Sequence, residues 1–219
     1  KSDMHSVVLV SGIGQAAKLP QYMNCNFFNG LHGRAIPAAT GIKMANKKLK
    51  VIIFSGDGDI YGEGGNHFIH AIRRNIDITV IVHNNQVYGL TKGEASPTSE
   101  LGFVTNVQSG GVINEPFHPL SVAIALGAGW VARSFAGDKE HLSQMIQEAM
   151  NFKGFSLVDV LQPCVTFNKL NNFVWYKQRI YKLPSEYDPG NKQTAYEKAM
   201  EWGEKIPIGI IYKNPKITY

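Results

Sequence analysis

Cysteine is scarce. Cys25 and Cys164 are the only thiols in 219 residues. That excludes a disulfide-stapled secreted scaffold and points to a reducing compartment such as the cytoplasm. Long apolar runs are missing too: none approaches the roughly 18 residues that cross a bilayer. No signal-peptide pattern, internal repeat or low-complexity segment is present. Charge is modest, with 22 basic and 17 acidic residues giving a net +5. Such a balance is compatible with an acidic protein partner and equally with an ordinary surface. No basic run is interleaved with aromatics and no zinc spacing occurs, which speaks against nucleic acid. His67 and His70 stand three apart, but no third ligand accompanies them, so they read as helix residues flanking the site described next.

What the chain does have is Ser55-Gly56-Asp57-Gly58-Asp59, followed 28 positions after Asp57 by Asn85 in His83-Asn84-Asn85-Gln86-Val87-Tyr88-Gly89. Short, β-branched apolar runs precede both halves: Val51 to Phe54, and Ile76 to Val82. They read as buried strands. Tyr61 to Asn75 between them is long enough for one crossover helix, with Phe68, Ile69 and Ile72 on one face. The unit is βαβ, so the strands are parallel and their C-terminal ends adjoin. An acid and an amide oxygen thus reach one crevice, where open α/β sheets bind ligands. That pair, completed by ligand phosphates, suits Mg²⁺.

The remaining pattern predicts strands at Val7–Val10, Trp130–Ser134 and Phe155–Leu161, and helices at Ala38–Asn46, Leu120–Leu126, Lys139–Asn151 and Thr194–Lys205. A functional loop runs from Gln86 to Val112, an irregular aromatic stretch from Asn168 to Pro189, and a short apolar piece from Ile208 to Tyr212. The fold class is α/β, an open mostly parallel sheet flanked by helices, in one domain over 1–219.

The acid-to-Asn spacing resembles the thiamine-diphosphate signature. Several segments extend the likeness: Leu31-His32-Gly33-Arg34-Ala35-Ile36-Pro37, Gly65 to Asn75, Tyr88 to Ser99, and Gln162-Pro163-Cys164-Val165-Thr166-Phe167-Asn168. Together they resemble the β subunit of 2-oxoacid:ferredoxin oxidoreductases, over about Ser11 to Asn168. The resemblance implies a thiamine-diphosphate-binding fold and a partner α subunit that completes the active site. It also implies oxidative decarboxylation of a 2-oxoacid, pyruvate or 2-oxoglutarate, with coenzyme A as acyl acceptor and ferredoxin as electron acceptor.

Residue by residue, Asp57, the Asn85 side chain and the Val87 carbonyl are expected to hold Mg²⁺. Gly56 and Gly58 let the backbone approach the phosphates, and Asp59 shapes the loop rather than ligating. By resemblance Gly89, Leu90 and Thr91 cradle the diphosphate, with Leu90 facing substrate. His32 is a cofactor-site group, Arg34 is either that or paired with an acid, and Lys18 reaches the 2-oxoacid carboxylate. Glu94 stands where the family commonly has Gln. Cys164 matches a ligand of a [4Fe–4S] cluster. Gln15 occupies another ligand's place, for which Cys25 is the nearby substitute. A cluster needs four thiolates, so the expectation is an upstream Cys-x-x-Cys segment beyond this sequence. The alternative is a non-oxidative thiamine-diphosphate decarboxylase or carboligase, which needs neither cysteine nor ferredoxin.

Overall fold

The computed structural model describes residues 4–214. Its strands are β1 (Val7–Ser11), β2 (Asn26–Asn29), β3 (Lys50–Gly56), β4 (Thr79–Asn84), β5 (Trp130–Phe135), β6 (Ser156–Leu161), β7 (Ile180–Lys182) and β8 (Ile206–Lys213). They form one sheet in the order β2-β1-β3-β4-β6-β5-β8-β7. The six strands from β2 to β5 run parallel, and β8 joins β5 antiparallel. The helices are α1 (Ala35–Ala45), α2 (Gly65–Arg74), α3 (Pro119–Ala125), α4 (Lys139–Asn151), α5 (Phe173–Arg179) and α6 (Lys192–Met200). Among the described residues no helix is long and apolar enough to cross a membrane.

Alternation along the strands divides the core. Val51, Ile53, Val80 and Val82 face one side, where they meet Ala39 of α1, Phe68 and Ile72 of α2 and Ile124 of α3. Ile52, Ile81, Val158 and Val160 face the other, against Met145 and Ala149 of α4. This period of two is what a sheet covered on both faces demands. Asp138 and Asn191 cap α4 and α6 by accepting from the amides of His141 and Thr194, each cap stabilising by about 1 kcal/mol. Asn75 ends α2 in the left-handed region, at φ 47°.

Several expectations are corrected. Ile69 does not share the buried face of α2; it is exposed, and Ala71 takes its place. The β4 strand starts at Thr79, three residues later than expected. The stretch 168–189 is not wholly irregular, since it holds α5 and β7. The last helix stops at Met200, because the chain must turn to deliver β8.

Candidate active site

The register fixes the site. Gly56 of β3 lies opposite His83 of β4, so Asp57 emerges level with Asn84 and one residue short of Asn85. After Asp57 the chain makes a π-helical turn, Gly58–Glu63, before α2. A cleft of about 640 Å³, counting its open mouth, lies over these strand ends. Gly56, Asp57, Gly58, Asn85, Val87, Gly89, Leu90, Thr91 and His32 all line it.

Asp57 is 1 % exposed. Its Oδ2 accepts from Ser96 Oγ at 2.5 Å and Thr98 Oγ1 at 2.6 Å. Burial raises its pKa, although the Ser96 and Thr98 hydroxyls and the Asn85 amide pull the other way. Among the described residues no basic side chain forms an ion pair with it. A buried carboxylate without a cation is costly. Asn85 Oδ1 accepts from the Val87 amide at 3.1 Å, and Asn168 Nδ2 donates to the Asn85 carbonyl at 3.2 Å. Among the described residues no protein donor meets the Val87 carbonyl. Carboxylate, amide oxygen and free carbonyl are oxygen donors of the kind Mg²⁺ takes. Only one of them is acidic, and the described residues hold no group of three or more His, Cys, Asp or Glu set to bind a metal.

The cleft also has room. A Cβ added at Gly56 would meet only the His83 carbonyl, at 4.0 Å, and one at Gly89 would meet nothing. Gly58 differs: a Cβ there would fall 2.1 Å from Tyr88 Cε1. Tyr88 lies across the turn and donates through Oη to the Gly58 carbonyl at 3.1 Å. Gly58 is therefore bare at least to admit the tyrosine, and it also lines the cleft.

Asp59 ties the surrounding loops. Its Oδ1 accepts from the amides of Ile13 and Gly33 and lies 2.7 Å from His32 Nδ1, while Oδ2 accepts from Ser55 Oγ. His32 is thereby oriented at the cleft mouth. Thr91 donates to the Tyr88 carbonyl, and Leu90 is exposed at the rim. Lys18 sits outside the cleft lining, exposed on the 3₁₀ turn Ala16–Tyr22 whose Ala16 does line it. Arg34 is exposed, and among the described residues it forms no ion pair. His67 and His70 lie on α2, outside the lining.

The two thiols are not brought together. The register Val8↔Asn26 places Cys25 at the N-terminal end of β2, while Cys164 follows the C-terminal end of β6. Four strand spacings separate them laterally, roughly 20 Å, and the length of the strands adds roughly as much again. Cys25 packs against the cluster of Val7 and Leu9, and burial raises its thiol pKa. The pairing of Cys25 with Cys164 in one cluster is therefore corrected.

Several residues of the site escaped the sequence reading. His83 and Gln162 line the cleft as a pair, His83 Nδ1 lying 2.6 Å from Gln162 Oε1. Burial lowers the His83 pKa. Ser96 and Thr98 stand in the segment from Tyr88 to Ser99, but no local pattern assigns their hydroxyls a task.

A family profile described as the thiamine pyrophosphate enzyme C-terminal TPP-binding domain matches residues 6–160. A second, the C-terminal region of the pyruvate ferredoxin oxidoreductase β subunit, matches 164–219. The chain is 45% identical over 99% of its length to the 2-oxoacid:ferredoxin oxidoreductase 1 β subunit of Aeropyrum pernix, covering 72% of that protein. It is likewise 45% identical to the corresponding β subunit of Saccharolobus solfataricus, over 99% of this chain and 75% of the relative. Among solved structures, the 2-oxoglutarate:ferredoxin oxidoreductase of Magnetococcus marinus, with 2-oxoglutarate, coenzyme A and succinyl-CoA bound, superposes with a TM-score of 0.96. That match is 34% identical and covers 99% of this chain and 74% of the other.

Proposed function

Because this chain belongs to the β-subunit family of the 2-oxoacid:ferredoxin oxidoreductases, we propose that its cleft holds thiamine diphosphate through Mg²⁺ on Asp57, Asn85 and the Val87 carbonyl. The observation that carries this reading is the buried Asp57 carboxylate with no cationic partner among the described residues, beside an amide oxygen and a carbonyl that no described donor meets, at adjoining parallel strand ends. The reaction is oxidative decarboxylation of a 2-oxoacid with coenzyme A, giving acyl-CoA, CO₂ and reduced ferredoxin. 2-Oxoglutarate is the favoured substrate, since the solved relative holds it.

Thiamine diphosphate, once bound, supplies stabilisation of the carbanion left by decarboxylation. The protein supplies position and electrostatics. Asp57 and Asn85 set the depth of the diphosphate, and the bare backbone at Gly56 and Gly89 leaves space for it. His32, aimed by Asp59 through Nδ1, presents its other ring nitrogen at the mouth. Leu90 shapes the substrate side, and Lys18, a mobile point charge near the rim, attracts the 2-oxoacid carboxylate.

The site is completed by a partner α subunit. The edge strand β2 is exposed along its length, and Tyr22, Phe27, Phe28 and Leu31 are exposed around it. This apolar edge adjoins Ile13 to Ala16 and His32, which line the cleft, so a subunit seated there covers the mouth. Cys164, on the cleft side of the sheet, retains the iron–sulfur proposal. Cys25 leaves it, and the remaining thiolates must come from elsewhere. The proposed setting is a single functional domain acting in the cytoplasm.

The test is turnover by the assembled αβ enzyme with ferredoxin, comparing 2-oxoglutarate and pyruvate with and without coenzyme A. Ferredoxin reduction dependent on both coenzyme A and 2-oxoglutarate is expected. CO₂ release that needs neither acceptor would favour the non-oxidative alternative.

A further inference from the structure

Two hydroxyls converge on one oxygen of Asp57. Ser96 Oγ and Thr98 Oγ1 both reach Oδ2, so among the described residues Oδ1 is left without a side-chain donor. Thr98 Oγ1 also lies 2.9 Å from Asn84 Oδ1, so its single proton is shared between that amide oxygen and Asp57 Oδ2. Asn84 Nδ2 donates to both oxygens of Asp159, at 3.3 Å each. Tyr61 Oη donates to Asp159 Oδ2 at 2.7 Å. Tyr61 belongs to the turn that begins immediately after Asp57, so the chain of contacts closes on its starting point. Asp57, Tyr61, Asn84, Thr98 and Asp159 are all 5 % exposed or less.

We propose that Thr98 is a positioning residue for the metal, the joint of a ring of polar contacts, closed through the backbone of the turn after Asp57, that fixes Asp57 relative to Asn85. The inference rests on the cofactor reading above and deepens it. Asn84 precedes Asn85 in the chain, so the ring grips both ligand-bearing strand ends at once. Thr98 is itself locked: Gln86 Nε2 donates to its carbonyl at 2.7 Å, Ser99 Oγ donates to the Gln86 carbonyl, and Tyr176 Oη donates to Gln86 Oε1. The hydroxyl is thus delivered by a braced segment rather than by a free loop. Groups that hydrogen-bond a ligating carboxylate orient it, and their loss typically weakens metal affinity about 10–100-fold.

The experiment uses the assembled enzyme stripped of metal and cofactor, titrated with Mn²⁺ in the presence of thiamine diphosphate, with free Mn²⁺ followed by electron paramagnetic resonance. Thr98→Val keeps the shape and removes the hydroxyl. It is expected to raise half-saturating Mn²⁺ about 10–100-fold, while cofactor affinity at saturating metal stays near wild type. Thr98→Ser, which restores the hydroxyl, should recover metal affinity; a residue needed only for packing would not separate these readouts. Unchanged Mn²⁺ binding in Thr98→Val, or equal weakening in both variants, overturns the proposal. Should Thr98→Val fail to assemble, Tyr61→Phe opens the same ring at its far side, and wild-type Mn²⁺ binding there overturns it as well. Asp57→Ala separates the two levels. If Asp57→Ala loses Mn²⁺ and Thr98→Val does not, the ring falls and the site stands. If Asp57→Ala binds Mn²⁺ as wild type, the site assignment itself fails.

Discussion

Gly58 and Gly56 flank the same aspartate, yet the structure assigns them different costs. In Gly58→Ala the new Cβ would lie 2.1 Å from Tyr88 Cε1, 2.6 Å from Cζ and 2.7 Å from Cδ1. These are ring atoms of a partly buried side chain, not the free end of a flexible one. To reach ordinary contact at 3.4 Å the ring must retreat by about 1.3 Å (3.4 minus 2.1). Overpacking of this kind costs about 1–3 kcal/mol. The retreat also breaks the 3.1 Å bond from Tyr88 Oη to the Gly58 carbonyl, adding about 0.5–1.5 kcal/mol. The sum is about 1.5–4.5 kcal/mol, or roughly 3–18 °C in Tm for a chain of this size. Gly56→Ala meets nothing nearer than 4.0 Å and should melt like wild type while binding thiamine diphosphate less well. The assay is thermal unfolding of the cofactor-free protein for both variants, repeated in a Tyr88→Ala background, where most of the Gly58→Ala cost should vanish. Equal melting of Gly58→Ala and wild type would refute the placement of Tyr88 over the turn.

Lys18→Ala should raise the KM for the 2-oxoacid from about tenfold to more than a hundredfold, the loss of a charge-assisted contact of about 1.5–3 kcal/mol, with cofactor affinity unchanged; an unaltered KM returns Lys18 to the solvated surface. Burial raises Asp159 from 3.8 to about 6, against the opposing pull of Arg133. The folded state therefore holds that proton where the unfolded chain has released it, and stability falls as pH rises through this window. Asp159→Asn should flatten the decline of Tm between pH 4 and 6, and an unchanged slope would contradict the assignment. Cys25→Ala should cost about 1–3 kcal/mol as a partly buried truncation and leave the iron content of the anaerobic enzyme at the wild-type level; loss of iron would contradict its place at the far end of the sheet.

The central strands were legible because β-branched runs such as Val51 to Phe54 bury both faces and carry a strong local signal. The edge strand Asn26–Asn29 carried none: its residues are exposed, and its identity comes from pairing with β1. Helix α5 was hidden because only Tyr176 within it is buried. At the site, Asp57 and Asn85 could be found from the sequence because one βαβ unit sets their spacing. The supporting contacts could not. Tyr61 to Asp159 and Asn84 to Asp159 join residues 98 and 75 positions apart, and no periodicity encodes such a meeting. The steric demand at Gly58 was hidden for a related reason, since its neighbour Tyr88 arrives from the next strand's loop. Ser96 and Thr98 were hidden in the same way, since they meet Asp57 from 39 and 41 positions away.

On the proposed reading the cleft takes thiamine diphosphate through a divalent cation on Asp57. Calorimetric titration of the apo enzyme with thiamine diphosphate, with Mg²⁺ and then with excess EDTA, tests it directly when run on wild type and Asp57→Ala. Metal coordination requires the ionised carboxylate, and burial raises the Asp57 pKa. The metal-dependent affinity of the wild type should therefore weaken as pH is lowered, starting above the usual carboxylate range. Tight, Mg²⁺-dependent binding is expected in the wild type and none in Asp57→Ala. Equal binding by the two proteins, or binding indifferent to EDTA, would contradict a metal held by Asp57.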